Sequence, residues 1–335
     1  MGSERRGAPR GLQPGDLVLT VGAPVRVVVV TWSSDGVLPG FLESLATATT
    51  APYEVVVADN ASPVGPPAVP AGVTLLETGG NLGYGKAANL GASGFEGDWL
   101  VVANPDVTWT PGALDELLDA GRRWPDAGCL GPAIRTTDDL LYPSARAFPS
   151  LGRGLGHALC GWWWPGNPWT RSYRAEVGPP VEGSTGWLSG SLMLLRREAW
   201  EAVGGFDPKY FMYCEDMDLC RRLAEAGWRN VYVPSAVITH VGGHSTAGVS
   251  SAMLKEHHRA LHTYLSEHYG GARHAPLRLL LGAGLLARYL LASRVRSIGK
   301  GAAPTRSADL LEDSAGDSAE PESSGFRRYV SRPGS

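Results

Sequence analysis

Residues 25–31 read VRVVVVT, and this run of β-branched residues decides the fold class. Strands that are buried on both faces, as in a parallel sheet, carry such continuous apolar runs instead of an alternating pattern. Two more runs follow, YEVVVA at 53–58 and WLVVA at 99–103, and segments with helical character lie between them at 37–49 and 83–93. Strands and helices that alternate at this spacing predict a Rossmann-like α/β domain, with a mostly parallel central sheet flanked by helices.

Polar residues come at the ends of these strands. Thr31 ends the first run, Asp59 follows the second, and Asn104-Pro105-Asp106 follows the run at 99–103. Ligands of open α/β sheets bind beyond the carboxyl ends of the strands, so these side chains are candidate ligand contacts. Asp106 and Asn104 could hold a divalent cation that takes its other ligands from a diphosphate. The same residues also fit a plain Asx-Pro turn, and both interpretations stay open.

An acidic stretch, Glu215-Asp216-Met217-Asp218, follows the aromatic run Tyr210-Phe211-Met212-Tyr213. One interpretation is a helix capped by Asp216, with the other acids in a first turn whose dipole favours anions. The other is a general base, because acids packed together in a cleft have altered proton affinity. His240 lies at the end of a short predicted strand, 237–240. It could be a metal ligand or a structural imidazole, and both interpretations stay open.

The glycine-rich segment at 79–89 reads GGNLGYGKAAN and contains Gly83-x-Gly85-x-x-Ala88. This spacing resembles the dinucleotide fingerprint and would make the protein an NAD(P)-linked oxidoreductase. The segment follows a third predicted strand, at 73–77, and not the first strand, which argues against that interpretation. Alternatively, its glycines let the backbone approach a nucleotide, to which Asn81 and Asn89 offer hydrogen bonds.

Composition excludes several classes of protein. Of the 335 residues 43% are hydrophobic, and the formal net charge is −3, which excludes wholesale disorder. The 30 Lys and Arg residues do not outnumber the 33 acids, so a general nucleic-acid binder is not expected. Four cysteines without a CxxC pair predict reduced thiols in the cytoplasm. The sequence shows no signal peptide and no simple membrane span.

The chain is expected to divide into four segments. These are a flexible leader at 1–23, the α/β domain at 24–270, a basic amphipathic helix at 271–300 and a disordered acidic tail at 301–335. The helix interleaves arginines with leucines, so it either lies in an anionic membrane interface or packs on the domain with a solvated basic face. The cluster Trp162–Trp164 could stack on a sugar, enter a membrane interface or simply pack a loop.

Seven motifs occur in a characteristic order: VVVTWS ending at Ser33, Ala58-Asp59-Asn60-Ala61-Ser62, Gly80-Asn81-Leu82-Gly83, Asn104-Pro105-Asp106, Gly204-Gly205-Phe206-Asp207, Glu215-Asp216-x-Asp218-Leu219 and His240. The ordered set resembles family 2 glycosyltransferases of the GT-A fold over about residues 25–245. Within the family it looks most like the bacterial rhamnosyltransferases. Two positions depart from the family pattern: Ser33 stands in place of an asparagine, and Asn104 in place of the first acid of the DxD pair.

The resemblance implies a role for each matching residue. Thr31 and Asp59 would hold the nucleoside, while Asp106 and His240 would hold Mn²⁺ or Mg²⁺. Asp216 would be the catalytic base, with Glu215 beside it. Further contacts to the sugar nucleotide are expected from Asn81, Gly83, Asn89, Asn104 and Asp106. Contacts to the acceptor are expected from Trp187, Ser189, Gly190 and Glu215.

The implied reaction is an inverting transfer of L-rhamnose from dTDP-L-rhamnose to polyprenyl-diphosphate-linked N-acetylglucosamine, in synthesis of the arabinogalactan linker of the cell wall. The implied location is peripheral, on the inner face of the plasma membrane, where 271–300 would attach; a homo-oligomer is open. The alternatives are a family 2 enzyme that uses a UDP-hexose, the oxidoreductase, and a non-catalytic scaffold. The intact Glu215-Asp216 pair argues against the scaffold.

Overall fold

The computed structural model describes residues 24–148, 180–241 and 251–286, and these form an α/β domain. Its strands are β1 Val25–Thr31, β2 Tyr53–Asp59, β3 Thr74–Glu77, β4 Trp99–Ala103, β5 Val107–Trp109, β6 Ala127–Arg135, β7 Leu141–Tyr142, β8 Ala145–Arg146, β9 Gly183–Thr185, β10 Trp187–Leu188, β11 Leu192–Arg196 and β12 Arg229–His240. Its helices are α1 Leu38–Ala48, α2 Tyr84–Ala92, α3 Ala113–Arg123, α4 Arg197–Val203, α5 Glu215–Glu225 and α6 Ser251–His268, with a 3-10 turn at Ala272–His274.

One sheet dominates the domain. Its strand order is β3-β2-β1-β4-β11-β6-β12-β5, with β7 beside β6 and β9 beside β12. Within that order β11 and β5 run against the other strands, which are mutually parallel. The mostly parallel sheet predicted from the apolar runs is therefore confirmed. The parallel strands β1, β2 and β4 end at the same edge of the sheet, where a ligand site is expected.

The burial of β1 explains its continuous apolar run. Val27 and Val29 join a core on one face of the sheet, against helices α1 and α3. Val28 and Val30 join a second core on the other face, against α2 and α5. Because side chains alternate across a strand, both sets must be apolar when helices cover both faces.

The apolar run WLSGSLMLL at 187–195 predicts one continuous strand, and the structure corrects this prediction. Residues 189–191 leave the strand and form a turn between β10 and β11. The backbone N–H of Ser189 donates to Ser144 O at 2.8 Å, and that of Gly190 donates to the Asp216 carboxylate at 2.9 Å. These bonds leave the sheet ladder, so the chain breaks where its polar residues interrupt the apolar run.

Two further elements differ from expectation. The strand predicted at 237–240 is the end of the much longer β12, whose pairing with β6 shifts in register between Val233 and Val237. Strand β6 itself was not predicted because glycines interrupt its pattern. A Cβ on Gly128 would lie 2.7 Å from the Trp228 Cβ, and one on Gly131 would lie 2.9 Å from Leu188, so neighbouring side chains fill the space instead.

At the C-terminal end, only part of the basic helix predicted at 271–300 is described. Residues 275–286 are helical, and Leu279, Leu280 and Leu286 are exposed on them. None of the helices in the described part of the chain is long and apolar enough to cross a membrane. The predictions for 1–23, Trp162–Trp164 and 301–335 fall outside the described residues.

Candidate active site

The ends of β1 and β2 form one side of the site through Thr31 and Asp59. The Thr31 hydroxyl donates to Asp59 Oδ1 at 3.0 Å, and Ser62 donates to Oδ1 from its hydroxyl at 2.6 Å and to Oδ2 from its N–H at 3.0 Å. Asp59 is only 2% exposed. Three donors thus stabilise its negative charge and fix its orientation at the sheet edge. The predicted contact of Thr31 and Asp59 with a nucleoside stays a prediction.

Asn60 ties this edge to the glycine-rich loop before α2. Its Nδ2 donates to Asn81 Oδ1 at 2.9 Å, and its Oδ1 accepts from the N–H of Leu82 at 2.8 Å. Gly83 follows with a φ of +89°, and a Cβ there would lie 2.2 Å from the Phe211 carbonyl oxygen. Glycine is required at this position because the backbone of the 211 segment passes directly against it.

This close packing weakens the dinucleotide interpretation. In a dinucleotide fold the glycines make room for a pyrophosphate. Here Gly83 faces the Phe211 backbone, and a Cβ on Gly85 would lie 2.8 Å from the Phe206 Cβ. The protein's own chain occupies the space on both glycines, so the oxidoreductase alternative is not favoured.

Asn89 makes its described contacts with the protein itself. Its Nδ2 donates to the carbonyl of Phe206 at 2.7 Å, and its Oδ1 accepts from the N–H of the same residue at 2.9 Å. The side chain therefore braces α2 against the segment after α4. These two bonds use its amide group within the protein, and its predicted contact with a nucleotide stays a prediction.

Asp106 and His240 meet although they lie on different strand ends. His240 Nε2 lies 3.0 Å from Asp106 Oδ1 and 3.4 Å from Asn104 Nδ2. Their positions are fixed by the backbone, since Asn104 donates its N–H to Ser191 O at 2.9 Å and Val241 donates to Asp106 O at 3.2 Å. The Asn-Pro-Asp turn directs the Asp106 carboxylate at the His240 imidazole. This contact favours a ligand site over a plain Asx-Pro turn.

A divalent cation fits this donor set. Carboxylate oxygen, amide oxygen and imidazole nitrogen are all ligands of Mn²⁺ or Mg²⁺. The side chains of His240 and Asp106 are 21% and 12% exposed, so they remain open to a ligand. In the described part of the chain no three His, Cys, Asp or Glu side chains gather as a complete metal cage. An ion held here would take further ligands from a bound diphosphate.

Helix α5 begins with an unusual backbone that presents Glu215 and Asp216. The two preceding residues, Tyr213 and Cys214, have φ angles of +71° and +64°. Non-glycine residues in this left-handed region cost about 1 kcal/mol or more each, and such strain gathers at functional sites. No sequence pattern indicated it. The sharp reversal brings the two carboxyl groups to the N-terminal end of α5.

Asp216 and Glu215 have opposite hydrogen-bond environments. Asp216 Oδ2 accepts from the N–H of Gly190 at 2.9 Å, and Oδ1 accepts from the N–H of Met217 at 2.8 Å. Glu215 is 8% exposed, and its Oε2 has no hydrogen-bond partner among the described residues. Backbone donors favour the charged form, so the negative charge of the pair resides on Asp216 and the proton on Glu215.

The pKa shifts agree with this division. Burial, with the charge of Asp216 beside it, raises the pKa of Glu215 to about 8. Burial raises the pKa of Asp216 as well, while the N–H bonds from Gly190 and Met217 and the positive charge of Arg146 act against that rise. Two adjacent buried acids share one proton near neutral pH. The arrangement therefore offers one carboxylate base next to one neutral acid.

The third acid of the motif, Asp218, has a different environment. Its side chain is fully buried, and it accepts from Arg221 Nη2 at 2.8 Å and from Arg222 Nε at 2.7 Å. Arg222 also donates to the carbonyls of Val203 and Gly205. Asp218 therefore anchors α5 to the segment after α4. The acidic motif divides into two neighbouring acids with raised pKa values, Glu215 and Asp216, and a buried ion pair at Asp218.

The turn at 189–191 joins the two halves of the site. Ser191 Oγ lies 3.4 Å from His240 Nδ1, and Ser189 Oγ lies 3.2 Å from Ser191 Oγ. Gly190, between them, contacts Asp216. Ser189 and Gly190 were predicted to contact the acceptor. Gly190 contacts the candidate base directly, and Ser189 lies beside Ser191, which contacts His240. Their contact with an acceptor stays a prediction.

Two site residues were missed from the sequence. The Tyr84 hydroxyl donates to the carbonyl of Gly190 at 2.9 Å; its only signal was its position next to Gly83. Arg146 stacks over the ring of Trp187, 5.3 Å from its centroid, and contributes positive charge near Asp216. No motif surrounds Arg146. Trp187, also predicted to contact the acceptor, lies beneath this guanidinium.

Comparison with known proteins defines the family. The family description "Glycosyl transferase family 2" matches residues 26–204, and "Glycosyltransferase like family 2" matches residues 174–263. The chain belongs to glycosyltransferase family 2, and the resemblance stated from the motifs is confirmed. The protein is therefore a glycosyltransferase.

Two curated proteins and one solved structure are similar to this chain. The N-acetylglucosaminyl-diphospho-decaprenol L-rhamnosyltransferase of Mycobacterium tuberculosis (strain H37Rv) is 49% identical over 277 residues, which are 78% of this chain and 90% of that protein. The rhamnosyltransferase WbbL of Escherichia coli (strain K12) is 28% identical over 72% of this chain and 92% of its own length. The crystal structure of GalNAc-T7 with UDP, GalNAc and Mn²⁺ has a TM-score of 0.50 at 15% identity, over 71% of this chain and 47% of that one, which supports the GT-A fold.

Proposed function

We propose that the protein transfers L-rhamnose from dTDP-L-rhamnose to N-acetylglucosamine carried on a polyprenyl diphosphate, with inversion at the anomeric carbon. The observation that carries this proposal is the 49% identity with the mycobacterial L-rhamnosyltransferase over 90% of its length. In a cell wall that contains arabinogalactan, this transfer would build its linker. The arrangement around Asp216 supports the chemistry, as follows.

The nucleotide side of the site would bind the donor. Thr31 and Asp59 stand at the ends of β1 and β2, where the nucleoside would lie, and the loop at 79–83 flanks them. Asp106 and His240, with Asn104, would hold the divalent cation and the diphosphate. When bound, such a cation offsets the negative charge that develops on the leaving nucleoside diphosphate.

Asp216 is the proposed base. Its carboxylate accepts the proton of the acceptor hydroxyl, and the freed oxygen attacks the anomeric carbon of rhamnose. The new carbon–oxygen bond forms as the bond to the dTDP oxygen breaks, and the electron pair leaves with dTDP. One displacement by one base inverts the configuration, whereas retention would need a protein nucleophile as well. Because Glu215 keeps its proton, it adds no second negative charge near the departing diphosphate.

The C-terminal leucines support attachment to a membrane surface. Leu279, Leu280 and Leu286 are 76%, 70% and 58% exposed on the helical segment 275–286. The sequence that continues this segment, 287–300, contains three arginines and Lys300, three leucines or isoleucines, and no acid. Apolar side chains next to basic ones favour an anionic bilayer surface, which is where a polyprenyl-linked acceptor is available.

The donor is tested by calorimetry with dTDP, UDP and GDP, each with and without Mn²⁺, followed by a transfer assay with dTDP-L-rhamnose. We expect dTDP to bind more tightly than UDP or GDP and Mn²⁺ to increase its affinity. Asp216→Asn should abolish transfer but leave dTDP affinity unchanged, while Asp126→Asn, a surface acid before β6, should leave both unchanged. Preference for UDP would replace the donor assignment with a UDP-hexose, and normal turnover by Asp216→Asn would refute the base.

A further inference from the structure

We propose that Tyr84 is a positioning residue for the base: its hydroxyl holds the carbonyl of Gly190 so that the Gly190 N–H stays directed at Asp216. This inference rests on the proposed role of Asp216. It adds a residue on α2, 132 positions before the base, that touches no reacting atom. The proposal follows from two consecutive hydrogen bonds on the two sides of one residue.

The first step is the bond to Gly190. The Tyr84 hydroxyl donates to Gly190 O at 2.9 Å, and the N–H of Gly190 donates to Asp216 Oδ2 at 2.9 Å. Gly190 has no side chain that could fix it, and it lies in a three-residue turn outside the sheet ladder. A hydrogen bond on its carbonyl therefore limits rotation of the residue whose N–H contacts the base.

The second step is that Gly190 is the contact that orients Asp216 relative to the sheet. The other bond to the carboxylate comes from Met217, the next residue on the same helix, and moves with it. The contact is tight as well, because a Cβ on Gly190 would lie 3.1 Å from the Asp216 Cβ. A small displacement of Gly190 thus changes both the hydrogen bond and the packing of the base.

The third step is that Tyr84 is itself held firmly. Its N–H donates to Phe211 O at 2.9 Å, and its ring lies edge-on to Phe206, with 6.0 Å between centroids. Burial, together with the negative charges of Glu215, Asp216 and Asp106, raises the pKa of Tyr84 well above its ordinary value. The hydroxyl keeps its proton and remains a donor to Gly190, so it does not compete with Asp216 as a base.

Several groups set the proton affinity of Asp216 and must be considered in its test. The charged or titratable groups that face it are Glu215 and Cys214 on its own segment, Tyr84 from α2, Arg146 from β8 and Cys129 from β6. The Gly190 N–H favours the carboxylate form. Loss of that bond therefore raises the pKa of Asp216 and moves the acidic limb of the rate profile to higher pH.

The test is the pH profile of kcat for Tyr84→Phe, which removes one oxygen and keeps the ring. We expect kcat to fall about tenfold with little change in the donor KM, and the acidic limb to shift upward by several tenths of a pH unit. Tyr53→Phe is the matched control, since Tyr53 is buried at the opposite end of β2 and its hydroxyl has no partner among the described residues. That variant should reproduce the wild-type profile.

Each other outcome decides the question. A wild-type kcat and acidic limb in Tyr84→Phe would overturn the proposal, as would a fall in kcat without any shift of the limb. If Tyr84→Phe does not fold, Gly190→Ala, which presses a methyl group on Asp216, must give the same shift of the limb for the proposal to stand. Asp216→Asn in the same series distinguishes failure of the proposed base from failure of the positioning role. An active Asp216→Asn refutes the base. An inactive Asp216→Asn together with an unaffected Tyr84→Phe refutes only the positioning role of Tyr84.

Discussion

His240 Nε2 lies 3.0 Å from Asp106 Oδ1, although 134 positions separate the two residues in the chain. His240 ends β12, and Asp106 follows β4 in a turn that resembles many ordinary Asx-Pro turns. This contact supports the proposal that the turn holds a cation together with His240. If it does, replacement of either side chain should have the same effect.

Replacement of either residue should remove the effect of the cation on nucleotide binding. We expect Asp106→Asn and His240→Ala to lower dTDP affinity at least tenfold in Mn²⁺, which is about 1.4 kcal/mol. Without metal we expect no such loss: His240→Ala should bind dTDP as the wild type does, and Asp106→Asn at least as tightly, because it removes a negative charge beside the diphosphate. Calorimetry measures both states. Asp98→Asn, an exposed acid at the opposite end of β4, is the control, and an equal loss there would contradict the assignment.

The proton on Glu215 should make activity and stability depend on pH. Its pKa is raised to about 8 in the folded protein, against an ordinary value of 4.5, so the folded state binds that proton more tightly than the unfolded chain. The stabilising contribution is full below about pH 4.5 and is lost as pH rises towards 8. As the pH passes that value Glu215 ionises beside Asp216, so turnover should decline there, whereas this contribution to stability has already been lost and does not change further.

Glu215→Gln isolates this effect because its side chain stays neutral. We expect its melting temperature to vary less between pH 5 and pH 9 than that of the wild type, and its kcat to persist at pH 9 relative to pH 7. Thermal unfolding and initial rates at each pH provide the comparison. A variant that reproduces the wild-type alkaline decline would show that another group causes it.

Asp218 should matter for stability and not for the chemistry. Asp218→Asn leaves the guanidinium groups of Arg221 and Arg222 without their buried partner, and we expect a loss of about 3–5 kcal/mol in the free energy of unfolding. Denaturant titration measures the loss. The control is Glu225→Gln, because Glu225 also pairs with Arg221 but is 61% exposed. There we expect a change of less than about 1 kcal/mol.

Two glycines of one loop give a matched test of backbone packing. Gly79 and Gly83 both have positive φ, +75° and +89°, but a Cβ on Gly79 would meet nothing within 4 Å, whereas one on Gly83 would collide with Phe211. Gly79→Ala should cost about 1 kcal/mol in stability, from the backbone alone. Gly83→Ala should cost several times as much in the same unfolding assay. Equal losses of stability in the two variants would mean that the backbone at Phe211 moves away from the added methyl group at little cost.

The exposed leucines of the C-terminal helical segment should drive membrane binding. Leu279→Ser/Leu280→Ser should reduce sedimentation with vesicles of anionic phospholipid at least tenfold, since each leucine contributes about 1.5–3 kcal/mol when buried. Leu140 and Leu141 form another exposed adjacent pair, 66% and 48% accessible. Serine at both of those positions should leave sedimentation unchanged. An identical loss from both pairs would contradict a specific role for 275–286.

The sequence predicted the sheet well where burial is complete. The runs at 25–31, 53–58 and 99–103 became β1, β2 and β4 because helices cover both faces and every position must be apolar. It failed at β6, where glycines replace apolar residues to accommodate Trp228 and Leu188, a requirement that depends on distant parts of the chain.

The site was predictable to a similar degree. Residues at strand ends, such as Asp106 and His240, could be identified because topology brings those ends to one edge. The separate roles of Asp216 and Asp218 could not, since they depend on which side of α5 meets Gly190 and which meets Arg222. Tyr84 was missed for the same reason: its partner is a backbone carbonyl, and a carbonyl leaves no trace in the identity of Gly190.

The turn at 189–191 touches the imidazole of His240 through Ser191 and the carboxylate of Asp216 through Gly190. An engineer who wishes to change the sugar that is transferred should therefore leave residues 189–191 intact, because a substitution that moves the proposed metal ligand His240 would also disturb the proposed base Asp216. The described hydrogen bonds of Thr31, Ser33 and Ser62, at the ends of β1 and β2, do not involve that turn, so a substitution there leaves the link between His240 and Asp216 in place.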